Sequence, residues 1–285
     1  MRLDAYREKI FDLLPSHRIQ KVVVNSTSPK DDWTRVLEMW RQRPDVILPQ
    51  FGVHPWCVHR ISTEFQGEWE SELRRMLLLV PCAGVGETGL DKSPRWKGSI
   101  EKQETIFKYH IQLALELKRP LSIHCVKSYG RVYEHIKNVQ GAVPIVLHGW
   151  MGSKEMVDMF AKLPRVNFSI NASILRLEPL KGISMLAAIP LDRLMVESDC
   201  PDGVPCEDNV HLWIKALDSE SEQNKLKTAY QQYVNVQRGI FQKEGAFSSP
   251  HSLGLTMAVI GVATGYPQSL LEQALYKTTI STFSI

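Results

Sequence analysis

Short apolar runs recur along the chain, and most are followed by a longer stretch in which apolar positions return every three to four residues. The runs Lys21–Asn25, Val46–Gly52, Cys82–Glu87, Leu121–Cys125, Pro144–His148, Val166–Asn171 and Arg193–Asp199 read as strands. Runs such as VVV, VILPQF, LSIHC and IVLH are apolar on both faces, as a sheet covered by helices requires. Between them, Trp33–Arg41, Gly67–Val80, Ile100–Leu117, Gly130–Asn138, Ser153–Leu163 and Glu178–Ile189 carry helical spacing. Strands alternating with helices predict βαβ units and a parallel sheet. The count is one strand short of a closed (β/α)₈ barrel. Asp4–Leu14 has a helical period and cannot supply the eighth. After Asp199 the pattern changes: Asn209–Glu244 is polar, helical and free of proline. Leu253–Thr264 and Gln268–Phe283 read as closing helices. The expected organisation is one domain over 1–285, a TIM-like (β/α)₈ barrel lacking its first strand, with a helical insertion at about 207–250.

Composition narrows the class. The 285 residues are 44% hydrophobic and 23% charged, an ordinary globular balance. The net charge of +3 gives no global attraction to polyanions, so nucleic-acid contact would need a local basic patch. Lys92, Arg95, Lys97 and Lys102 are the candidates for such a patch. Five cysteines without a CxxC pair point to a reduced, cytoplasmic compartment. No apolar run approaches the roughly 20 residues of a membrane helix.

The polar residues at the C-terminal ends of the runs carry the chemistry. In order they are Ser26/Thr27, His54, Glu87, His124, His148, Asn171 and Asp199. A parallel barrel gathers its strand ends on one face, where catalytic groups collect. Imidazole and carboxylate at corresponding ends suit Zn²⁺, Mn²⁺ and related divalent ions. Asn171 and the Ser/Thr pair would orient ligands or substrate. His17, His110, His135 and His211 fall in helices or connections and read as solvated. Cys125 and Cys200 adjoin candidate ligands, but alternation turns them to the opposite face, toward packing. The glycines of 84–89 are too tightly spaced for a dinucleotide fingerprint.

The segments FGVHPW (51–56), GVGETGLD (84–91), SIHCVKSYG (122–130), LHGWMGS (147–153) and LMVESDCP (194–201), in this order, resemble the TatD-like metal-dependent DNases of the amidohydrolase-like superfamily. The resemblance implies a (β/α)₈ barrel hydrolysing DNA phosphodiesters with two divalent metals, Mg²⁺, Mn²⁺ or Zn²⁺. It makes Glu87 the bridging carboxylate and places His124 and His148 at one metal. Asp199 would serve the other metal and the attacking water, so that Glu87 and Asp199 are the catalytic carboxylates. His54 and Lys127 would lie on the substrate side. Trp150 would either stack on a base or pack in the core. The family's first strand ends in a His-x-His pair, and no HxH occurs here. The expectation is therefore a chain starting just past that strand, binding about one equivalent of metal and cleaving DNA weakly or not at all. Two other functions remain open: hydrolysis of another ester or an amide on the same barrel, and a catalytically inactive binding protein.

Overall fold

All seven apolar runs are strands: β1 (Val22–Asn25), β2 (Ile47–Phe51), β3 (Gly84–Asp91), β4 (Leu121–Val126), β5 (Ile145–His148), β6 (Val166–Ile170) and β7 (Leu194–Val196). They are seen in a computed structural model that describes residues 11–12, 14–15, 19–29, 32–64, 68–139, 141–241 and 248–284. Strand order follows the sequence from β1 to β7. The recorded pairings are parallel. Among the described residues β1 has β2 as its one strand neighbour, and β7 has β6. The predicted Asp4–Leu14 helix lies almost wholly outside the described residues.

The helices whose bounds lie within the described residues are α1 (Trp33–Gln42), α2 (Val58–Glu64), α3 (Glu68–Leu79), α4 (Ile100–Leu117), α5 (Tyr129–Ile136), α6 (Lys154–Phe160), α7 (Pro179–Ala188), α8 (Glu207–Ala216), α9 (Glu220–Phe241), α10 (Ser252–Thr264) and α11 (Gln268–Phe283). The chain divides into two compact units. One comprises Lys21–His148, Lys162–Asn167 and Thr282–Ile285; the other holds Gly149–Ala161, Phe168–Ser281 and the segment before Lys21.

One strand departs from expectation. The run placed at Cys82–Glu87 begins at Gly84 and continues to Asp91, buried throughout. It continues because Gly89, Leu90 and Asp91 pair with His124, Cys125 and Val126 of β4. Gly89 has φ +143°, and a Cβ there would lie 2.1 Å from the His124 carbonyl oxygen. Only glycine lets β3 run this close to β4. The polar, helical stretch expected over 209–244 is built of two helices, α8 and α9. The break is set by Ser219, whose Oγ accepts from the Glu222 amide at 3.1 Å. Ser-x-x-Glu is the sequence of a capping box, which starts a new helix.

Candidate metal centre

The first unit builds its polar centre from four neighbouring strand ends. Gln50 and Phe51 of β2 lead into Gly52, whose amide donates to Ser26 Oγ at 3.2 Å. The next two residues are held by main-chain bonds: the His54 amide donates to the Thr27 carbonyl at 2.9 Å. The Val53 amide donates to His110 Nε2 at 3.1 Å. His54 then caps the turn Pro55–Cys57, its Nδ1 accepting from the Trp56 amide at 3.2 Å. Fixing Nδ1 this way aims Nε2 inward. The Ser26/Thr27 pair thus orients the site through backbone oxygens and one hydroxyl.

Glu87 lies in the middle of β3, where the register with β4 shifts between Val85 and Thr88. Such irregularities re-aim a side chain. Its amide donates to the Ser26 carbonyl at 3.1 Å. His124 and His148 are register partners on β4 and β5, so they share a face. Glu87 Oε1 lies 2.9 Å from His124 Nδ1 and 3.4 Å from His54 Nε2. Glu87 Oε2 lies 3.8 Å from His148 Nε2. His54 Nε2 and His124 Nδ1 are 3.1 Å apart. Ligand atoms of His54, Glu87 and His124 all fall within 4.8 Å of one another.

A second carboxylate, absent from the sequence reading, completes the cluster. Asp91 Oδ2 lies 3.3 Å from His124 Nε2 and accepts from the Trp56 indole N–H at 2.6 Å. Gln103 of α4 fixes its backbone, Oε1 accepting from the Asp91 amide at 2.7 Å and Nε2 donating to the Asp91 carbonyl at 3.2 Å. The signal was in GVGETGLD: Glu87, Gly89 and Asp91 alternate onto one face.

The electrostatics follow from burying two carboxylates among imidazoles. Burial alone would raise the Glu87 pKa, but the charges of His148 and His54 and the bond to His124 hold it well below the carboxylate range. Asp91 is likewise depressed: burial works against ionisation, and bonds from His124, Ser93 and Trp56 overcome it. His124 faces a carboxylate from each ring nitrogen. Burial would lower its pKa, but Asp91 and Glu87 raise it to about 8. His54 is pushed down, chiefly by burial. A protonated His124 would supply the positive charge that two buried carboxylates demand.

The second unit holds Asp199 with Asn171 and Glu197. Asn171 Nδ2 donates to Glu197 Oε1 at 3.0 Å and to Asp199 Oδ2 at 3.1 Å. Its Oδ1 accepts from the Ser173 amide at 2.8 Å, which fixes the amide orientation. Gly149 N donates to Glu197 Oε1 at 2.8 Å. Glu197 was missed by sequence reasoning, although it stands two residues before Asp199. β7 ends at Val196, so both acids lie beyond the strand, Asp199 with φ +49°. Trp150 is a core residue: it is 1% exposed, with ring edges against Phe160 and Phe168 at centroid distances of 5.4 and 5.1 Å. It is not positioned to stack on a base. Lys127 is exposed directly after β4, with φ +52°.

His110 is the main correction among the remaining histidines. It is fully buried rather than solvated. Its Nδ1 donates to the Ile106 carbonyl at 2.8 Å, Nε2 accepts from Val53, and Trp69 stacks on the ring at 5.6 Å. Burial pushes its pKa down to about 4, against the opposing bond to Ile106. The unfolded chain binds this proton from about pH 6.5 downward, whereas the native chain resists until about pH 4. Stability therefore falls as pH drops through that window, by about 2 kcal/mol between pH 7 and 5 from this group. Urea unfolding at the two pH values should show the loss, and His110→Gln should reduce it. An identical pH slope in the variant would acquit His110. His135 is half-buried rather than solvated, beside Glu104 and the Phe107 ring; His211 sits at the surface beside Glu207, and His17 lies outside the described residues. Burial pushes the Cys125 thiol up, consistent with packing.

A family model described as TatD-related DNase matches residues 1–280. The chain belongs to this family. A curated relative, the 3'-5' ssDNA/RNA exonuclease TatD of a Rahnella strain, is 26% identical over 208 residues, covering 72% of this chain and 76% of its own. The human 3'-5' RNA nuclease TATDN2 is 29% identical over 171 residues, covering 59% of this chain but 22% of its own length. The solved structure of the TatD homologue YJJV from Escherichia coli superposes with a TM-score of 0.76 at 19% identity, over 99% of this chain and 93% of that one. A TatD-family hydrolase from Entamoeba histolytica gives 0.77 at 14% identity, over 96% and 88%. These two share the fold. TatD-family membership implies divalent cations, and the Glu87 cluster fits them. It offers carboxylate oxygen and imidazole nitrogen within reach of one centre, the donors such ions accept. A cation there would replace the proton that His124 carries, so uptake should release protons. His54, expected on the substrate side, stands within this donor set.

Proposed function

We propose that the chain is a divalent-metal-dependent hydrolase of phosphodiester bonds in single-stranded nucleic acid, DNA foremost. The observation that carries this reading is the buried, ionised Glu87 at the centre of His54, His124 and His148. Relatives named as nucleases on DNA and RNA support the substrate class.

Glu87, His124, His54 and His148 are the residues proposed to hold metal on the first unit; on the second unit Asp199 is the proposed metal ligand. Divalent cations bound by such donors acidify water and offset charge on phosphoryl oxygens. Asp199 accepts the proton of the attacking water, held in place by the Asn171 amide. Lys127, exposed at the end of β4, offers its ammonium to a non-bridging phosphate oxygen. His124 is kept from rotating by a carboxylate at each nitrogen. No helix among the described residues is long and apolar enough to cross a membrane. The five cysteines are free thiols, which supports a reducing, cytoplasmic setting.

The test is metal content after dialysis against Mn²⁺, together with cleavage of a 3'-labelled single-stranded oligonucleotide with and without EDTA. Bound metal, and cleavage that EDTA abolishes and Mn²⁺ restores, is the expected outcome. A chain that retains no metal, or one that holds metal and cleaves only esters or amides of other classes, would overturn the reading.

A further inference from the structure

The turn after His54 leaves an aromatic surface that the metal centre does not use. Trp56 directs its indole N–H inward to Asp91, yet its side chain is 43% exposed. The ring lies within 15° of parallel to Trp96, with centroids 5.9 Å apart. Trp96 is in turn within 20° of parallel to His59, at 6.0 Å. The Arg95 guanidinium sits 4.7 Å from the centroid of the Trp96 ring. Trp56, Cys57, His59, Arg60, Arg95 and Trp96 line an open cavity of about 540 Å³, and none of these described lining residues is acidic. Lys92 and Lys97, on either side of Arg95 in sequence, are also exposed.

Large aromatic side chains are ordinarily spent on burial. Here the polar edge of Trp56 is satisfied from inside, while much of the ring faces out beside two guanidinium groups. Aromatic rings flanked by cations are how proteins hold unpaired bases without reading their identity: the ring takes the base and the cation takes the phosphate. Phosphate alone would need no aromatic rings, and an apolar peptide would gain nothing from the arginines.

We infer that this cavity is a docking site for an unpaired base of single-stranded nucleic acid, which packs against the exposed Trp56 ring that Trp96 braces, while Arg60 and Arg95 neutralise the adjoining phosphates. The inference rests on the nucleic-acid reading of the preceding section and names how substrate is engaged. Trp56 joins the two places physically. Its amide donates to His54 Nδ1, and its ring centroid is 6.0 Å from that of His124. A base seated there brings its sugar-phosphate chain toward the Glu87 cluster. Duplex DNA, whose bases are already stacked and paired, cannot present one.

The experiment is a tryptophan-fluorescence titration of the full chain in EDTA, so that binding is read without cleavage. The probes are a short oligothymidylate, an abasic oligomer of the same length and charge, and a blunt duplex. Oligothymidylate should quench fluorescence and bind about tenfold tighter than the abasic oligomer, the size expected for base–aromatic stacking. Trp96→Ala should bring its affinity down to the abasic level, and Trp96→Phe should restore most of it. Equal affinity for the two single strands, or no change in Trp96→Ala, would overturn the inference and leave binding by charge alone. If Trp96→Ala loses its native circular dichroism, the abasic comparison on the unaltered chain and the Trp96→Phe variant decide. Base-dependent binding without any Mn²⁺-dependent cleavage would remove the nuclease reading and keep this site. Cleavage with base-indifferent affinity would do the reverse.

Discussion

Replacing Glu87 by Gln is expected to abolish metal-dependent cleavage, with a fall of at least about 10³-fold, because it removes the one carboxylate shared by three imidazoles. The substitution is nearly isosteric. The amide that replaces the carboxylate would still offer a carbonyl oxygen to His124 Nδ1, so the local packing of β3 against β4 survives. What disappears is the negative charge that Glu87 keeps despite its burial, a charge sustained by the fields of His148 and His54 and by the His124 bond. Loss of an inner donor should weaken Mn²⁺ binding by more than the roughly 10–100-fold typical of outer partners. Calorimetric titration with Mn²⁺ and single-turnover cleavage read the two effects separately, and urea unfolding checks the fold. A Glu87→Gln protein that binds Mn²⁺ as before and cleaves at the original rate would remove this cluster from the mechanism.

How far this arrangement could be read beforehand depends on the element. The strands were legible because a sheet covered on both faces demands continuous apolar runs, and each of the seven runs is a strand. Glu87, His124 and His148 were legible as one group because each stands where an apolar run gives way to polar residues; His54 was expected on the substrate side, and its Nε2 lies 3.4 Å from Glu87 Oε1. Asp91 was hidden by the assumption that β3 stops at Glu87. Glycines 86 and 89, both at φ beyond +140°, looked like a loop, yet they allow the strand to continue. His110 carried a usable signal: it follows Ile106 and Phe107 by four and three residues and precedes Ala114 by four, on the buried stripe of α4. Trp150 carried none. Whether a tryptophan after a strand faces a substrate or the core depends on Phe160 and Phe168, which local sequence does not place. The end of β7 was likewise unreadable, because the apolar run passes into Glu197–Asp199 without a break while the backbone turns to a positive φ at Asp199.

Replacing Asp199 by Asn is expected to lower the turnover number by about 10³-fold, within the 10²–10⁴ range of general base catalysis, with little change in KM. The residue is well suited to separating chemistry from structure. Its φ of +49° lies in the left-handed region, which asparagine tolerates better than most residues, so the backbone needs no adjustment. Asn171 Nδ2 donates to Asp199 Oδ2, and an amide oxygen in the same place accepts that bond equally well. Asn171 itself is held by the Ser173 amide and by Glu197, neither of which the substitution touches. What asparagine cannot do is take a proton from water near neutral pH. Metal held on the first unit by Glu87, His54 and His124 should remain and any ion held through Asp199 should bind more weakly, while turnover collapses. The Glu87→Gln protein should lose both. Steady-state kinetics beside Mn²⁺ titration on the two variants would show the split. If Asp199→Asn turns over within tenfold of the unaltered chain, the proton is accepted elsewhere, and Glu197, sharing the same Asn171 amide, becomes the residue to replace next.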